Sequence, residues 1–193
     1  MSKKTLLFLA GATIGLGCGA FGAGLRLEYG LLATNKTSTM QKEMDAAAAA
    51  GFRYRTVMGG ETSFGGSEVV VVMSKDPEEA VSDRYRYRLL ATSKTSTMQK
   101  ELQQAGDQGY EYRGQTVFKT SFGGEEVVII LEQDSEQKLL RYKYRLLATK
   151  KTSTMQKELN EAGEEGFQLV GMTVGKTAFG GSELVSILRM PVD

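Results

Sequence analysis

The residues best suited to chemistry lie in an eight-residue sequence, KTSTMQKE, that occurs three times, at 36–43, 94–101 and 151–158. Lysine, threonine and serine at the start of a helix are able to bind a phosphate, because free backbone N–H groups and the helix dipole attract anions there. The candidate residues are Lys36, Lys94, Lys151, Ser38, Ser96 and Ser153. The glycine-rich loop of a P-loop is absent, and a helix cap with a solvated lysine explains the same residues.

A second candidate for anion binding is a stripe of basic residues that alternates with tyrosines along two predicted strands. The stripe contains Arg84, Arg86 and Arg88 in one copy of the pattern and Arg141, Lys143 and Arg145 in another. Such a stripe is able to contact nucleic acid or an acidic polysaccharide. Alternate side chains of a strand point to opposite faces, so the tyrosines would not share one ligand with these cations. A solvated, salt-bridged face is the simpler interpretation.

The composition excludes several kinds of chemistry. The chain of 193 residues has no histidine and one cysteine, Cys18, which rules out a Cys/His metal cluster, a Cys–His nucleophile and an internal disulfide. Its 24 basic residues nearly balance its 23 acidic residues, so no strong overall field favours a polyanion. We therefore expect neither an enzyme nor a cofactor or metal.

The first 24 residues are expected to export or anchor the chain. Lys3 and Lys4 precede an uncharged run from residue 5 to 25, which is typical of a secretory signal peptide, and cleavage after Gly22 fits the small residues there. Two alternatives remain open. Cys18 lies where a lipoprotein carries its lipid, and residues 5–25 are long enough to span a membrane if they are retained. The expected location is therefore secreted, periplasmic or in the cell envelope.

The rest of the chain consists of three copies of one unit, at 25–76, 83–133 and 140–193. Corresponding residues are 58 positions apart in the first two copies and 57 in the last two. Each copy has an alternating strand, an amphipathic helix, a second strand, a Phe-Gly-Gly turn and a third strand. The prediction is an α+β fold of three β-α-β-β units, each with one helix on a three-stranded antiparallel sheet, after an N-terminal apolar helix or signal segment.

The helix boundaries carry their own signals. Ser-x-x-Gln, as in Ser96 and Gln99, predicts a capping box, and Gly51, Gly109 and Gly166 predict left-handed helix ends. The third strand is apolar on both faces, with Val127, Ile129 and Leu131 on one face and Val128 and Ile130 on the other. One helix covers only one face, so we expect the second face to pack against another unit or another chain.

The order of these elements resembles a known family. A helix end, a glycine, an aromatic residue and a short strand at 159–170, together with the Tyr-containing strand at 142–147, are similar to the small bacterial domain of unknown function numbered 4177. The resemblance covers all three units. It implies a β-α-β-β fold without an assigned activity and supplies no catalytic residues.

The sequence thus favours a non-enzymatic, exported repeat protein that acts as a binding or assembly scaffold. Its expected partner is another protein or another copy, bound through the sheets of the units, and repetition would add avidity. The alternative is an anion-binding module for nucleic acid or acidic polysaccharide. A membrane would be contacted only through residues 5–25, if they are not removed.

Overall fold

The computed structural model of the chain describes residues 26–62, 66–80, 83–119, 124–176 and 181–192. The predicted leader at 1–24, with Cys18, lies outside these residues, as do Phe64, Phe122 and Phe179 of the predicted turns. Within the described ranges no helix is long and apolar enough to cross a membrane.

The described residues form three α+β units with the same order of elements. Unit 1 contains β1 Glu28–Thr34, α1 Thr37–Ala49, β2 Arg53–Thr62 and β3 Gly66–Lys75. Unit 2 contains β4 Tyr85–Thr92, α2 Thr95–Asp107, β5 Glu111–Lys119 and β6 Glu125–Asp134. Unit 3 contains β7 Arg141–Thr149, α3 Thr152–Glu164, β8 Gln168–Lys176 and β9 Ser182–Val192. The repeated β-α-β-β order is therefore confirmed.

Each unit contains one antiparallel sheet, and its last strand lies in the middle. The strand orders are β1-β3-β2, β4-β6-β5 and β7-β9-β8. The register is equivalent in all three, as shown by Leu31 opposite Val72 and Leu89 opposite Ile130. The second strand of each unit carries a β-bulge near its start, at Arg55, Arg113 and Val170. The bulge releases a backbone N–H from the ladder at a fixed place in every unit.

The predicted helix starts are wrong in detail. The N-cap residue is the lysine of the octamer, at 36, 94 and 151, and no side chain caps these helices. The serine therefore lies inside the first turn. A threonine two residues before each lysine accepts a hydrogen bond from the lysine N–H, at 3.2, 3.3 and 3.2 Å. This local turn fixes the helix start, so the glutamine is not needed there.

The predicted helix ends are confirmed. Gly51, Gly109 and Gly166 have φ angles of 87°, 83° and 92°. The aromatic residue after each glycine donates its N–H to a carbonyl five residues earlier, for example Tyr110 to Ala105 at 3.0 Å. This is the Schellman arrangement, which satisfies a terminal carbonyl and reverses the chain toward the second strand.

Both faces of the middle strand are buried in unit 2, as expected. Val128 and Ile130 pack into a first core formed with the helix and sheet of unit 1. Val127, Ile129 and Leu131 pack into a second core formed with α2 and the sheet of unit 3. Both of these cores are therefore shared by two consecutive units, and α1 and α2 each pack on the first strand of the following unit as well as on their own sheet.

Candidate interaction surfaces

The basic stripe of unit 2 is largely engaged with carboxylates and rings of the same unit. Arg84 binds both oxygens of Asp134, at 2.9 and 2.8 Å, and also Glu136 at 2.9 Å. The hydrogen bonds from Arg84 lower the pKa of Asp134. Arg88 donates to Gln108 at 2.8 Å and lies 4.5 Å above the ring of Tyr110.

Arg145 of unit 3 has an equivalent role to Arg88. It binds both oxygens of Glu165, at 2.8 and 2.6 Å, and lies 4.1 Å from the centre of the Phe167 ring. Its hydrogen bonds lower the pKa of Glu165. Arg88 and Arg145 thus hold the end of each helix against the first strand of its unit, and an anionic ligand would have to displace their present partners.

Three cations of the stripe are still available at the surface. Arg86 is exposed and approaches only Asp83, at 3.8 Å. Arg141 and Lys143 are exposed and form no ion pair with any residue that the structure describes. These three side chains lie on two strands of different units.

The helix N-termini are less open than their sequence suggests. Lys36, Lys94, Lys151, Ser38, Ser96 and Ser153 are all exposed. At α2, however, the hydroxyl of Thr95 donates to the carboxylate of Glu183 in unit 3, at 2.7 Å. A negative group from the next unit already lies beside this helix start, which reduces the room for a free anion.

Two adjoining clefts of about 240 and 320 Å³ lie where units 1 and 2 meet. Both are lined by Lys75, Asp76, Glu79, Arg84 and Tyr85. Charges of both signs alternate around them, and the described residues contain no group of acidic or cysteine side chains that would hold a metal. The clefts therefore offer no selective site for an anion or a cation.

The glutamine of the octamer has a function between units. Gln41 of unit 1 accepts from the N–H of Leu89 at 2.7 Å and donates to the carbonyl of Tyr87 at 3.0 Å. Gln99 of unit 2 makes the same two bonds to Leu146 and Tyr144, at 2.7 and 2.9 Å. The side-chain amide thus replaces a neighbouring strand at the edge of the next sheet. We call this pair of bonds the glutamine contact.

At the bulges of β2 and β5, a backbone N–H is bonded to a tyrosine hydroxyl of the next unit. The N–H of Tyr54 donates to the hydroxyl of Tyr87 at 2.8 Å, and that of Tyr112 donates to Tyr144 at 2.7 Å. Both receiving tyrosines are 4% exposed. Burial raises the pKa of each hydroxyl, with a further contribution from the Glu132 charge at Tyr87. We call this bond the tyrosine contact.

A partly buried charged pair also joins consecutive units, and its polarity is reversed from one junction to the next. Arg53 of unit 1 binds Glu132 of unit 2 at 2.9 Å, and the carboxylate is 2% exposed. At the corresponding positions of the next junction, Glu111 of unit 2 binds Arg189 of unit 3 at 2.5 Å. The pair therefore distinguishes one junction from the other, because mismatched units would bury two like charges.

A tyrosine from the second strand fills a glycine recess on the next unit. A Cβ atom on Gly114 would lie 2.2 Å from the hydroxyl oxygen of Tyr54, and the equivalent contact joins Gly171 and Tyr112. A side chain larger than glycine would therefore collide with the ring at either place. We call this the filling contact.

The two terminal units each leave half of this interface open. Unit 2 packs on unit 1 through one side of its sheet, and we call the same side of unit 1 the head face. On the head face, Tyr29, Leu31 and Met58 are 66%, 69% and 56% exposed. The tail face is the surface of unit 3 beside α3, and it exposes Leu169, Met172 and Val174 by about half. Two apolar surfaces of this kind are typical of protein interaction sites.

Sequence reasoning missed the individual contacts at these junctions, although the sequence contains signals for them. Aligning the three copies places Arg53, Glu111 and Gln168 at one position and Ser74, Glu132 and Arg189 at another. When the first position of one unit is compared with the second position of the next unit, the charges are opposite in both cases, Arg53 with Glu132 and Glu111 with Arg189. This joint reversal of sign indicates contact. The spacing of the glutamine from the serine is compatible with a helix cap and with the glutamine contact, so the sequence alone predicts the cap.

Together, the fold and these surfaces define a tandem repeat protein of β-α-β-β units that pack in series. The chain matches no protein-family model, no curated protein and no solved structure.

Proposed function

We infer that the chain is a non-enzymatic scaffold, built from units that resemble the domain of unknown function numbered 4177, and that it binds proteins through its head and tail faces. The observation that carries this proposal is the exposure of Tyr29 and Leu169, whose counterparts are buried or half-buried at the internal junctions. Tyr29 is 66% exposed, whereas Tyr87 and Tyr144 are 4% exposed. Terminal repeats that end an array normally present a polar outer face, and these do not.

The proposal is tested by cross-linking the immobilised full chain in extracts of its own cells, followed by mapping of the linked residues. Linked partners, including further copies of the chain, are expected to attach near residues 26–34 or 156–174. Tyr29→Glu and Leu169→Glu should each remove the links at their own face. The double variant Arg86→Glu with Lys143→Glu is the matched control on the basic stripe and should keep the links. Links that survive at both altered faces would contradict the proposal.

A second candidate, anion binding, is favoured by the three exposed cations Arg86, Arg141 and Lys143. Binding of nucleic acid or acidic polysaccharide would weaken steeply as the salt concentration rises, because each neutralised charge releases a counterion. The same Arg86→Glu with Lys143→Glu variant would lose it. Retention that is independent of salt and of this variant would exclude this candidate.

The location proposed for the scaffold is outside the cytoplasm, and its support is the basic and then apolar sequence at 1–24. Intact-mass measurement on the chain from fractionated cells decides between the alternatives. A chain that begins near Ala23 would indicate export, a lipid on Cys18 a lipoprotein, and an intact amino end in the membrane fraction a retained anchor. An intact chain in the cytosol would contradict this location.

A further inference from the structure

We propose that the partner of the tail face is the head face of a second copy of this chain, so that unit 3 of one molecule is followed by unit 1 of the next. This inference rests on the proposed function and names the partner for both faces. The two internal junctions give the template, since each uses the same surfaces in the same order. Five features of the ends fit a third junction of this kind.

The polar groups of the glutamine contact are present at both ends. Gln156 occupies the position of Gln41 and Gln99, but within the described residues it bonds only Asn160 of its own helix, at 3.1 Å. On the head face, Tyr29 and Leu31 occupy the positions of Tyr87 and Leu89. β1 and β4 share one register, so the carbonyl of Tyr29 and the N–H of Leu31 lie on the edge of β1 away from β3, like the groups of β4 that bond Gln41. In the third junction, Gln156 would bond this carbonyl and this N–H, as Gln41 and Gln99 bond the corresponding groups of the next unit.

The groups of the tyrosine contact are also present. The bulge of β8 displaces the ladder between Leu169 and Gly171, as it does at Tyr54 and Tyr112. Among the residues that the structure describes, no tyrosine hydroxyl reaches the N–H of Leu169. The head face supplies one, because Tyr29 keeps the tyrosine of the internal junctions and holds it in solvent.

The filling contact changes on both sides at once. Where the internal junctions pair Tyr54 with Gly114 and Tyr112 with Gly171, the ends would pair Leu169 with Thr56. The filling side chain is smaller than tyrosine, and the recess is shallower because threonine replaces glycine. A larger partner on one side alone would overpack the junction, whereas these two changes compensate each other.

The charged pair is replaced by a neutral one. The positions that hold Arg53 with Glu132 and Glu111 with Arg189 hold Gln168 and Ser74 at the ends. Closure of the third junction would therefore bury no unpaired charge. The neutral pair also disfavours pairing of an end with a face from an internal junction, because neither Gln168 nor Ser74 would compensate the charge present there.

A helical glycine on the tail face adds a steric argument. Gly106 allows α2 to approach β7, since a Cβ atom there would lie 2.3 Å from the carbonyl oxygen of Tyr142. Gly163 takes the same place in α3, yet no atom lies within 4 Å of its Cβ position. The carbonyl of Leu27, the counterpart of Tyr142, would approach it from the next copy.

A junction between unlike faces adds copies in one direction and gives a ring or a linear filament, according to the rotation per copy. It also has a signature that a symmetric dimer lacks. A variant with a damaged head keeps its tail, and a variant with a damaged tail keeps its head. Neither variant assembles with itself, but an equal mixture of the two forms a dimer and nothing larger.

The experiment is sedimentation velocity on the full chain in a mild non-ionic detergent, which keeps residues 5–25 from associating. The wild type is expected to form species larger than a dimer. Tyr29→Glu and Leu169→Glu should each be monomeric, with association weakened about thirtyfold or more, as for central interface residues. Mixing them should give the dimer. Both altered side chains are exposed in the monomer, so circular dichroism and unfolding midpoints should match the wild type.

Other outcomes overturn the inference. A monomeric wild type would show that the head and tail faces of two copies do not bind each other. Variants that assemble like the wild type would place the contact elsewhere, and a mixture that stays monomeric would exclude the head-to-tail arrangement. A monomeric wild type whose faces still cross-link to a different protein in extracts would leave the proposed function intact. If the wild type neither assembles nor cross-links to another protein, both the head-to-tail junction and the proposed function are excluded.

Discussion

The side-chain amide of Gln99 lies 2.9 Å from the carbonyl oxygen of Tyr144 in the next unit, and it accepts the N–H of Leu146 from the same strand. An octamer that suggests a phosphate site therefore serves to join units. The amide satisfies one donor and one acceptor at the edge of a sheet, which also protects that edge from pairing with other strands.

Removal of the Gln99 amide should destabilise the chain. Gln99→Ala leaves a backbone donor and acceptor of β7 without their partner, which costs about 1–3 kcal/mol in the free energy of unfolding. The measurement is urea unfolding followed by circular dichroism. Gln156→Ala is the matched control, made at a concentration at which the chain is monomeric, and it should change the free energy by less than about 0.5 kcal/mol. Equal losses in the two variants would show that the glutamine acts within its own helix.

The sequence predicted the parts of the fold that local signals determine. The left-handed glycine at 109 and the alternation in Tyr87 and Leu89 depend on a few neighbouring residues, so a single copy is sufficient to read them. The helix start failed because Ser-x-x-Gln is compatible with a cap and with an inter-unit bond. Only the position of the next strand decides between them, and that position depends on contacts between residues 46–48 apart in the chain.

The interaction surfaces were predictable in part. Apolar side chains on both faces of β6 correctly indicated that units pack on each other. The charged pair at Arg53 and Glu132 was not predicted, because opposite charges are frequent and their alignment means little until the register of two sheets is known. The reversed charges at Glu111 and Arg189 are a signal for this contact, but the signal is visible only when the three copies are compared with one another.

The reversed pair predicts a transplant between junctions. Arg53→Glu should destabilise the chain by roughly 3–5 kcal/mol, because it places a second carboxylate beside the buried Glu132. Adding Glu132→Arg should rescue only part of this loss, since Arg113 binds Glu132 and would then face a cation. Adding Arg113→Val as well reproduces the residues of the next junction, where Val170 occupies that position, and should restore most of the stability.

The measurement for the transplant is again the free energy of unfolding in urea, for the single, double and triple variants. Arg86→Glu, on the exposed stripe, is the control for a simple change of charge and should have little effect. If the double variant were as stable as the triple, Arg113 would not contribute to the pair. If the triple were no better than Arg53→Glu alone, the two junctions would not be equivalent.

Two glycines at the same position of the unit should respond in opposite directions to alanine. Gly106→Ala drives a Cβ atom into the backbone of β7, where the carbonyl cannot move without breaking the sheet, and should cost about 1–3 kcal/mol. Gly163→Ala meets no atom and should stabilise the monomer by up to ~1 kcal/mol, through better helix propensity. Thermal unfolding of dilute protein measures both. A loss of stability in both variants would show that the glycines serve the helices themselves.

The junction tyrosines predict a loss of stability in alkali. Burial, and next the charge of Glu132, raises the pKa of Tyr54 to about 12, from an ordinary value of 10.0. The folded chain therefore favours the neutral phenol. The stability that this preference for the neutral phenol adds is fully present below pH 10 and is lost as the pH rises from 10 through about 12. At about 1.4 kcal/mol per pKa unit, ionisation of Tyr54 alone should lower the free energy of unfolding by ~3 kcal/mol. Tyr87, Tyr112 and Tyr144 have pKa values raised by burial and add to the same loss.

Urea unfolding between pH 9 and 12 tests this dependence. In Tyr54→Phe the ring still fills its recess at Gly114, but no phenol titrates there, so the free energy of unfolding should fall less steeply above pH 10 than in the wild type. Tyr29→Phe is the matched control, made on protein dilute enough to be monomeric, where Tyr29 is exposed, and its slope should equal that of the wild type. An unchanged slope in Tyr54→Phe would mean that solvent reaches the first junction and that units 1 and 2 separate before the chain unfolds.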